Sequence, residues 1–407
     1  MSAPGLVPVY ALLAAHIFSM LGFSTYAALL PELRDAWGMS NSQAGIVSGM
    51  FFAGYVATVS LWTSLTDRVD ARKIYVAGSA FSAAASAGFG LLAHDFASAV
   101  FFQALLGIGV AASYMPGLRL LSDRVGGPKQ SRYVAFYTSF FGIGTALSLA
   151  LAGFIAPHYG WQAAFITSAV GPLAAGGIVW LLITALPPRS SAPVSAAALF
   201  PLRAWRRVLS DRASAGYTFG YAAHCLELFG SRGWMVAYLS YAASVQGAEG
   251  FAWPPAAIAA IVNLLAVPAS ILGNEAALRV GRRRWILAVM VASGTMGIVL
   301  GAAAALPWQL VLALLLVYAM LVMAESGTLT AGLVASAPVD LRGAAMGLYS
   351  LGGFAGGLAG PVIFGAALDL FGGAHSPHAW IGAYAAIGAG CLAAPIVARI
   401  GANRRPG

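Results

Sequence analysis

The run YTFGYAAHCLELFGSRGWMVAY, Tyr217 to Tyr238, decides how the rest of the chain is read. It lies inside an apolar stretch, Ala213 to Ala243, yet contains His224, Glu227 and Arg232. At 3.6 residues per turn, Tyr217, Tyr221, His224, Glu227, Ser231, Arg232, Trp234 and Tyr238 share one side. Phe219, Ala222, Leu226, Phe229, Val236 and Ala237 occupy the other. An ionised side chain at the bilayer centre costs about 2.5–3.5 kcal/mol on insertion scales, so it faces a bundle interior or a wet cavity. The stripe therefore reads as a polar path through a membrane, or else as an interhelical hydrogen-bond network that holds a bundle together.

Composition points the same way. Of 407 residues, 60% are hydrophobic and 9% charged, against roughly 25% charged in a soluble domain, and the mean hydropathy is +0.81. Runs long enough to cross about 30 Å of hydrocarbon recur along the whole chain: 9–31, 44–65, 74–93, 97–121, 133–156, 163–186, 213–243, 254–278, 285–306, 308–337, 343–368 and 379–398. The expected fold is an all-α membrane protein of twelve transmembrane helices. Net charge +9 could suggest nucleic acid, but its placement excludes that partner. With the N-terminus inside, all Lys and Arg fall on the inner side except Arg34 and Arg232. This is the positive-inside rule, and it predicts a bacterial inner-membrane protein with both termini cytoplasmic and its basic loops against anionic lipid. Cys225 and Cys391 lie within expected spans, so no disulfide framework is implied. Met1 to Pro8 lacks a basic segment and a cleavage site, which makes the first span a retained helix.

The longest loop, Pro187 to Arg212, divides the chain into an N-terminal six-helix half, 1–186, a cytoplasmic central loop, 187–212, and a C-terminal half, 213–407. The halves look alike. Gly144, Gly153 and Tyr159-Gly160 recur 212 positions later as Gly356, Gly365 and Phe371-Gly372. Asp67-Arg68 to Arg72-Lys73 leaves span 2 as Arg279-Val280-Gly281-Arg282-Arg283 leaves span 8. Such repeats are the internal symmetry of alternating-access transporters. In span 3, Gly78, Ser82, Ser86 and Gly90 form a small-residue ridge suited to close helix contact.

With these features the chain resembles the major facilitator superfamily over nearly its whole length. The family's loop between helices 2 and 3 reads Gly-x-Leu-x-Asp-Arg-x-Gly-Arg-Arg/Lys. Here Thr63-Ser64-Leu65-Thr66-Asp67-Arg68-Val69-Asp70-Ala71-Arg72 keeps the Asp-Arg pair and a trailing base and lacks both glycines and the first base. The resemblance implies two pseudo-symmetric six-helix halves and an inner gate held by Asp67, Arg68 and Arg72; plain positive-inside topology is the rival account of that loop. Gln103 stands where proton-driven drug exporters carry an arginine, and span 5 lacks their Gly-Pro. Pro31-Glu32-Leu33 and the aromatic-rich span 7 resemble the bacterial cyanate and nitrate-type permeases, without the Asn-containing glycine signature of nitrate carriers.

Several groups could carry chemistry. His224 and Glu227, three apart, are neighbours on a helix and either relay a proton or form a fixed hydrogen bond. Glu325 in span 10 is a second buried acid, with a coupling or substrate role as one reading and a pairing to Arg119 or a helix-end group as the other. Arg232 and Arg119 offer planar forks suited to a carboxylate, or else snorkel to the nearer interface. Tyr221, Tyr114 and Asn263 complete the expected substrate and proton pathway as neutral donors. His16 is read as a satisfied polar contact. Met320, Met323, Cys225 and His224 lack metal-ligand spacing and read as packing. No cofactor, metal site or enzyme signature is expected; Gly107-x-Gly109 and Gly142-x-Gly144 sit inside membrane spans, away from any phosphate-binding loop. The reading is a monomeric secondary transporter coupled to protons by symport and moving a small anionic metabolite. An exporter of amphiphilic compounds and a non-transporting membrane sensor or scaffold are the alternatives.

Overall fold

The computed structural model describes residues 6–125, 128–187, 199–247, 251–338 and 341–403, and their regular structure is helical. In chain order the helices are α1 (Leu6–Ser19), α2 (Thr25–Ala36), α3 (Asn41–Leu65), α4 (Ala71–Leu92), α5 (Phe96–Ser122), α6 (Pro128–Ser168), α7 (Val170–Leu182) and α8 (Leu202–Ser210). There follow α9 (Arg212–Gln246), α10 (Pro255–Val280), α11 (Arg282–Ala302), α12 (Trp308–Ala324), α13 (Ser326–Ser336), α14 (Arg342–Leu370) and α15 (Pro377–Asn403). Among the described residues nine helical runs are long and apolar enough to cross a bilayer. One of them, Arg132–Leu182, is two traversals joined at Gly160, whose φ of 85° and ψ of 163° break the helix. The polar α9 and the α1–α2 pair complete the twelve spans expected from the apolar runs. Residues 188–198 of the central loop, Arg189 among them, lie outside the described residues, as do Arg404 and Arg405.

The first span differs from expectation, since it is interrupted between Ser19 and Thr25 instead of running unbroken over 9–31. Tight turns bond Met20 N to Ile17 O and Phe23 N to Met20 O, and the freed amide of Ser24 donates to Ser148 Oγ of α6 at 3.0 Å. A break at membrane depth is tolerated because protein groups satisfy the loose backbone. Span 10 is likewise broken, at Glu325 between α12 and α13. There the carbonyl of Ala324 accepts from Trp285 Nε1 at 3.1 Å.

The described chain divides into two units. The first comprises 1–29, 50–200 and 259–264; the second comprises 30–49, 201–258 and 265–407. Thus α3 and α10 each change unit along their length. The first unit is cored by Val9, Leu12, Leu13, Tyr75, Leu120, Leu121, Tyr137, Val179 and Ile183. Its α4 ridge meets α5 closely: a β-carbon added at Gly78 would lie 2.6 Å from Ala112 Cβ, and one at Gly109 2.5 Å from Ser82 Oγ. The second unit is cored by Val208, Ile286, Met290, Leu329, Leu333, Leu341, Tyr349 and Cys391. Val208 is the buried residue of the amphipathic α8, whose Arg203, Arg206 and Arg207 stay at the surface.

Two local features repeat between the halves. Gly160 and Gly372 both take left-handed φ, 85° and 108°, a conformation open to glycine at no steric cost. Gly54 presses on the carbonyl of Ala104 where α3 crosses α5, and Gly273 presses on the carbonyl of Ala324 where α10 crosses α12. In both, an added β-carbon would overlap the oxygen.

Candidate functional site

The polar stripe is carried by α9. Asp211 caps it, with Oδ2 accepting from Ser214 N at 2.8 Å, and Gly247 ends it at φ 81°. At 1.5 Å per residue its 35 residues run about 50 Å, longer than the hydrocarbon core. His224, Glu227, Ser231, Trp234 and Tyr238 are all buried, while Phe219 on the opposite side is 65% exposed. The greasy face is therefore only partly a lipid face. Val236 and Ala237, expected there, are buried with their neighbours, so the last third of α9 is enclosed on both sides.

The structure gives His224 a partner the spacing did not single out. His224 Nδ1 lies 3.0 Å from Glu325 Oε1, so the break in span 10 presents its carboxylate to α9. Glu325 is bound to His224, and the alternative pairing with Arg119 is not found. Glu227 instead receives Ser293 Oγ of α11 on Oε2 at 2.9 Å. Each member keeps one unengaged polar atom: His224 Nε2, Glu227 Oε1 and Glu325 Oε2 have no hydrogen-bond partner among the described residues. Two acids and an imidazole with such atoms can hold one or two protons in alternative places. Tyr221 stacks on Tyr349 at 3.8 Å and sits 5.7 Å from the His224 ring, and the Tyr349 hydroxyl is held by Thr330 Oγ1 at 2.9 Å.

Arg232, two turns from His224, is partly buried. Its Nη2 donates to the thioether of Met323 at 3.4 Å, and no carboxylate lies within 4.0 Å of it among the described residues. A thioether is a weak acceptor. Among the described residues the guanidinium makes no other hydrogen bond.

The remaining expected residues belong to the first unit. Arg119 is taken up by Asp67 Oδ1, 3.0 Å from Nη2, and by Asp123, 2.9 and 3.0 Å from Nε. It therefore joins the expected gating residue Asp67 at the end of the first unit's helices. Arg68 Nη1 donates to Ser64 O at 2.6 Å, and Arg72 Nη1 to Ile183 O at 3.0 Å. Tyr114 lies 5.2 Å from the His16 ring, and its carbonyl accepts from Tyr137 OH at 3.0 Å. Asn263 Nδ2 turns back to Ala259 O, 2.8 Å away on its own helix. His16 departs from the expected satisfied contact: it is fully buried, stacks on Tyr137 at 4.1 Å, and neither ring nitrogen has a hydrogen-bond partner among the described residues.

Sequence reasoning missed Ser293 and read Met323 as packing, neutral residues whose roles come from the acid and base they touch. It also missed Asp369, near the end of α14. Asp369 Oδ1 accepts from Asn41 N and Nδ2 at 3.1 and 2.8 Å, and Oδ2 from Ser42 N and Oγ at 2.7 and 2.6 Å, so this carboxylate caps the first turn of α3. An acid closing an otherwise apolar span was the available signal. Among the described residues no three His, Cys, Asp or Glu side chains converge as metal ligands.

A helical membrane chain with internally repeated halves and a charged seventh span defines a polytopic carrier architecture. The sequence profile of the Major Facilitator Superfamily matches residues 12–267, and the chain belongs to that family. Over 150 residues it is 21% identical to the niacin transporter NiaP of Acinetobacter baylyi, a match covering 37% of this chain and 34% of that protein. Over 134 residues it is 24% identical to human synaptic vesicle glycoprotein 2A, covering 33% of this chain and 18% of that one. The matches thus span about a third or less of these relatives' lengths. A bacterial homologue of the human lysosomal transporter Spinster shares the fold with TM-score 0.74 and 16% identity, over 98% of this chain and 96% of that one.

Proposed function

We propose that this protein is a secondary transporter that carries a small carboxylate together with a proton across the bacterial inner membrane. The family and the relatives support carriage over catalysis. The observation that carries the anion assignment is Arg232, held by a thioether with no carboxylate within 4.0 Å among the described residues. An arginine without an ionic partner at membrane depth is costly, and a carboxylate accepted by its fork removes that cost. Niacin, named for one relative, is a pyridine carboxylate and has this chemistry.

In this reading His224, Glu227 and Glu325 hold the coupling proton. Tyr221, Tyr114 and Asn263 line the route, and the six-helix halves 1–186 and 213–407 rock about the central loop. Asp67 and Arg119 hold one end of the first unit shut, with Arg68 and Arg72 supporting the loop. Both termini are cytoplasmic, and the protein acts as a monomer. The test is a thermal-shift screen of the purified protein against small carboxylates, amines and neutral solutes, repeated with Arg232→Gln. A carboxylate should stabilise the parent and lose its effect in the variant. A cationic or amphiphilic ligand that binds both equally would overturn the assignment in favour of an exporter.

A further inference from the structure

Outside the polar stripe, the first unit holds a cavity of about 440 Å³ lined by Arg68, Val69, Asp70, Arg72, Lys73 and the stretch Ala185–Pro187. Its size falls in the range of small-ligand sites. Three bases and one acid face it, an excess of two positive charges. The acid is already engaged: Asp70 Oδ1 accepts from Arg72 N at 3.0 Å, and Oδ2 lies 3.4 Å from Arg72 Nε.

Arg72 is fixed in place. Nη1 donates to Ile183 O at 3.0 Å, and the guanidinium lies 4.6 Å over the Trp180 ring, near the end of α7. Close by, Arg124 Nη1 donates to Leu120 O at 2.9 Å and Nη2 to Thr184 O, so two arginines close the carbonyl end of α7. Burial lowers the Arg124 guanidinium below its ordinary range; Arg72 adds to that push, and Asp123 and Asp70 oppose it. Lys73 is different. It is exposed, and its ammonium makes no hydrogen bond or ion pair among the described residues. The wall thus combines one oriented planar fork with one unengaged ammonium, the pairing that suits a phosphate: a geometric anchor and a point charge.

We propose that this cavity is a binding site for a phosphate-bearing anionic group. The site lies beside Trp180, an aromatic residue 49% exposed near the end of an apolar helix, where interfacial aromatics sit at headgroup level. A basic pocket in that position matches an anionic lipid headgroup, and the same wall would take free phosphate. The inference stands apart from the transport reading, because its readout is binding.

The test uses full-length protein in phosphatidylcholine nanodiscs, with phosphatidylglycerol titrated in and retained lipid read by native mass spectrometry. Lys73→Gln removes the unengaged ammonium without touching the arginines that close α7, so folding should be unaffected. It should weaken phosphatidylglycerol retention about fivefold, the effect of one basic side chain at an anionic surface. Arg203→Gln, an exposed base on α8, should leave retention unchanged. If inorganic phosphate at millimolar concentration displaces the lipid, the natural ligand is soluble phosphate; if it does not, the ligand is the headgroup. Equal retention of phosphatidylglycerol and phosphatidylcholine, or equal losses in the Lys73 and Arg203 variants, would overturn the proposal.

Discussion

The two units bury their polar groups by opposite rules. In the first, the buried imidazole of His16 lies among the rings of Tyr114 and Tyr137 with no acid bonded to it among the described residues, and the ionic contacts of Arg119 are gathered at the helix ends with Asp67 and Asp123. In the second, His224 is bonded to Glu325, Glu227 lies one turn away, and Arg232 sits on the same helix. Both histidines are fully buried; only one can exchange a proton with a carboxylate it touches. The contrast assigns labour within the proposed cycle: proton and anion handling to the second unit, a neutral aromatic wall and an ionic latch to the first.

The hardest blow to that contrast is Glu325→Gln. Uptake against a gradient should collapse to equilibration while exchange of substrate persists, with Glu227→Gln close behind and His16→Gln still concentrating substrate. Concentrative uptake lost in the His16 variant and kept in both glutamate variants would reverse the assignment. Next in size is Arg232→Gln, expected to weaken carboxylate binding by about 2–5 kcal/mol, with Arg232→Lys losing less because one charge remains; calorimetry on both variants measures the gap.

The latches sharpen the comparison at smaller amplitude. Asp369→Asn removes the carboxylate that caps α3 and should loosen that turn by about 1–2 kcal/mol, the size of a lost helix cap. Faster amide exchange at residues 41–45 reports it, and unchanged exchange means the cap is idle. Smallest is Asp67→Asn. Asp67 is 44% exposed beside Arg119, so the pair contributes about 0.2–1 kcal/mol. Expression should stay normal and turnover should slow modestly; identical turnover would leave the α3–α4 loop a purely topological signal.

How much of this could be read in advance follows from range in the sequence. The twelve spans were legible because each apolar run is its own evidence. Arg119 and Asp123, four apart, were pairable by helix geometry, although Asp123 went unnoticed. The bond from His224 to Glu325 crosses 101 residues, and that from Ser293 to Glu227 crosses 66. Periodicity tells which face a residue occupies and is silent on which helix stands opposite. It therefore favoured Glu227 as the partner of His224, simply because it is near in sequence. The interruption at Glu325 was hidden for a related reason. Met320 to Ala324 reads as uninterrupted apolar helix, and what stabilises the break is the indole of Trp285, 39 residues upstream.

The crossings at Gly54 and Gly273 have a consequence for inheritance. At each, the obstacle to a side chain is a backbone oxygen, Ala104 in one half and Ala324 in the other, and a backbone carbonyl cannot step aside as a side-chain tip can. A lineage is free to exchange the imidazole, the acids or the guanidinium and so change its cargo. It has no such freedom where one helix lies bare against another. Drift should therefore erase the likeness of the two halves almost everywhere before it reaches these two letters, and a saturation library across α3 and α10 should return glycine at 54 and 273 even under selection for a new substrate.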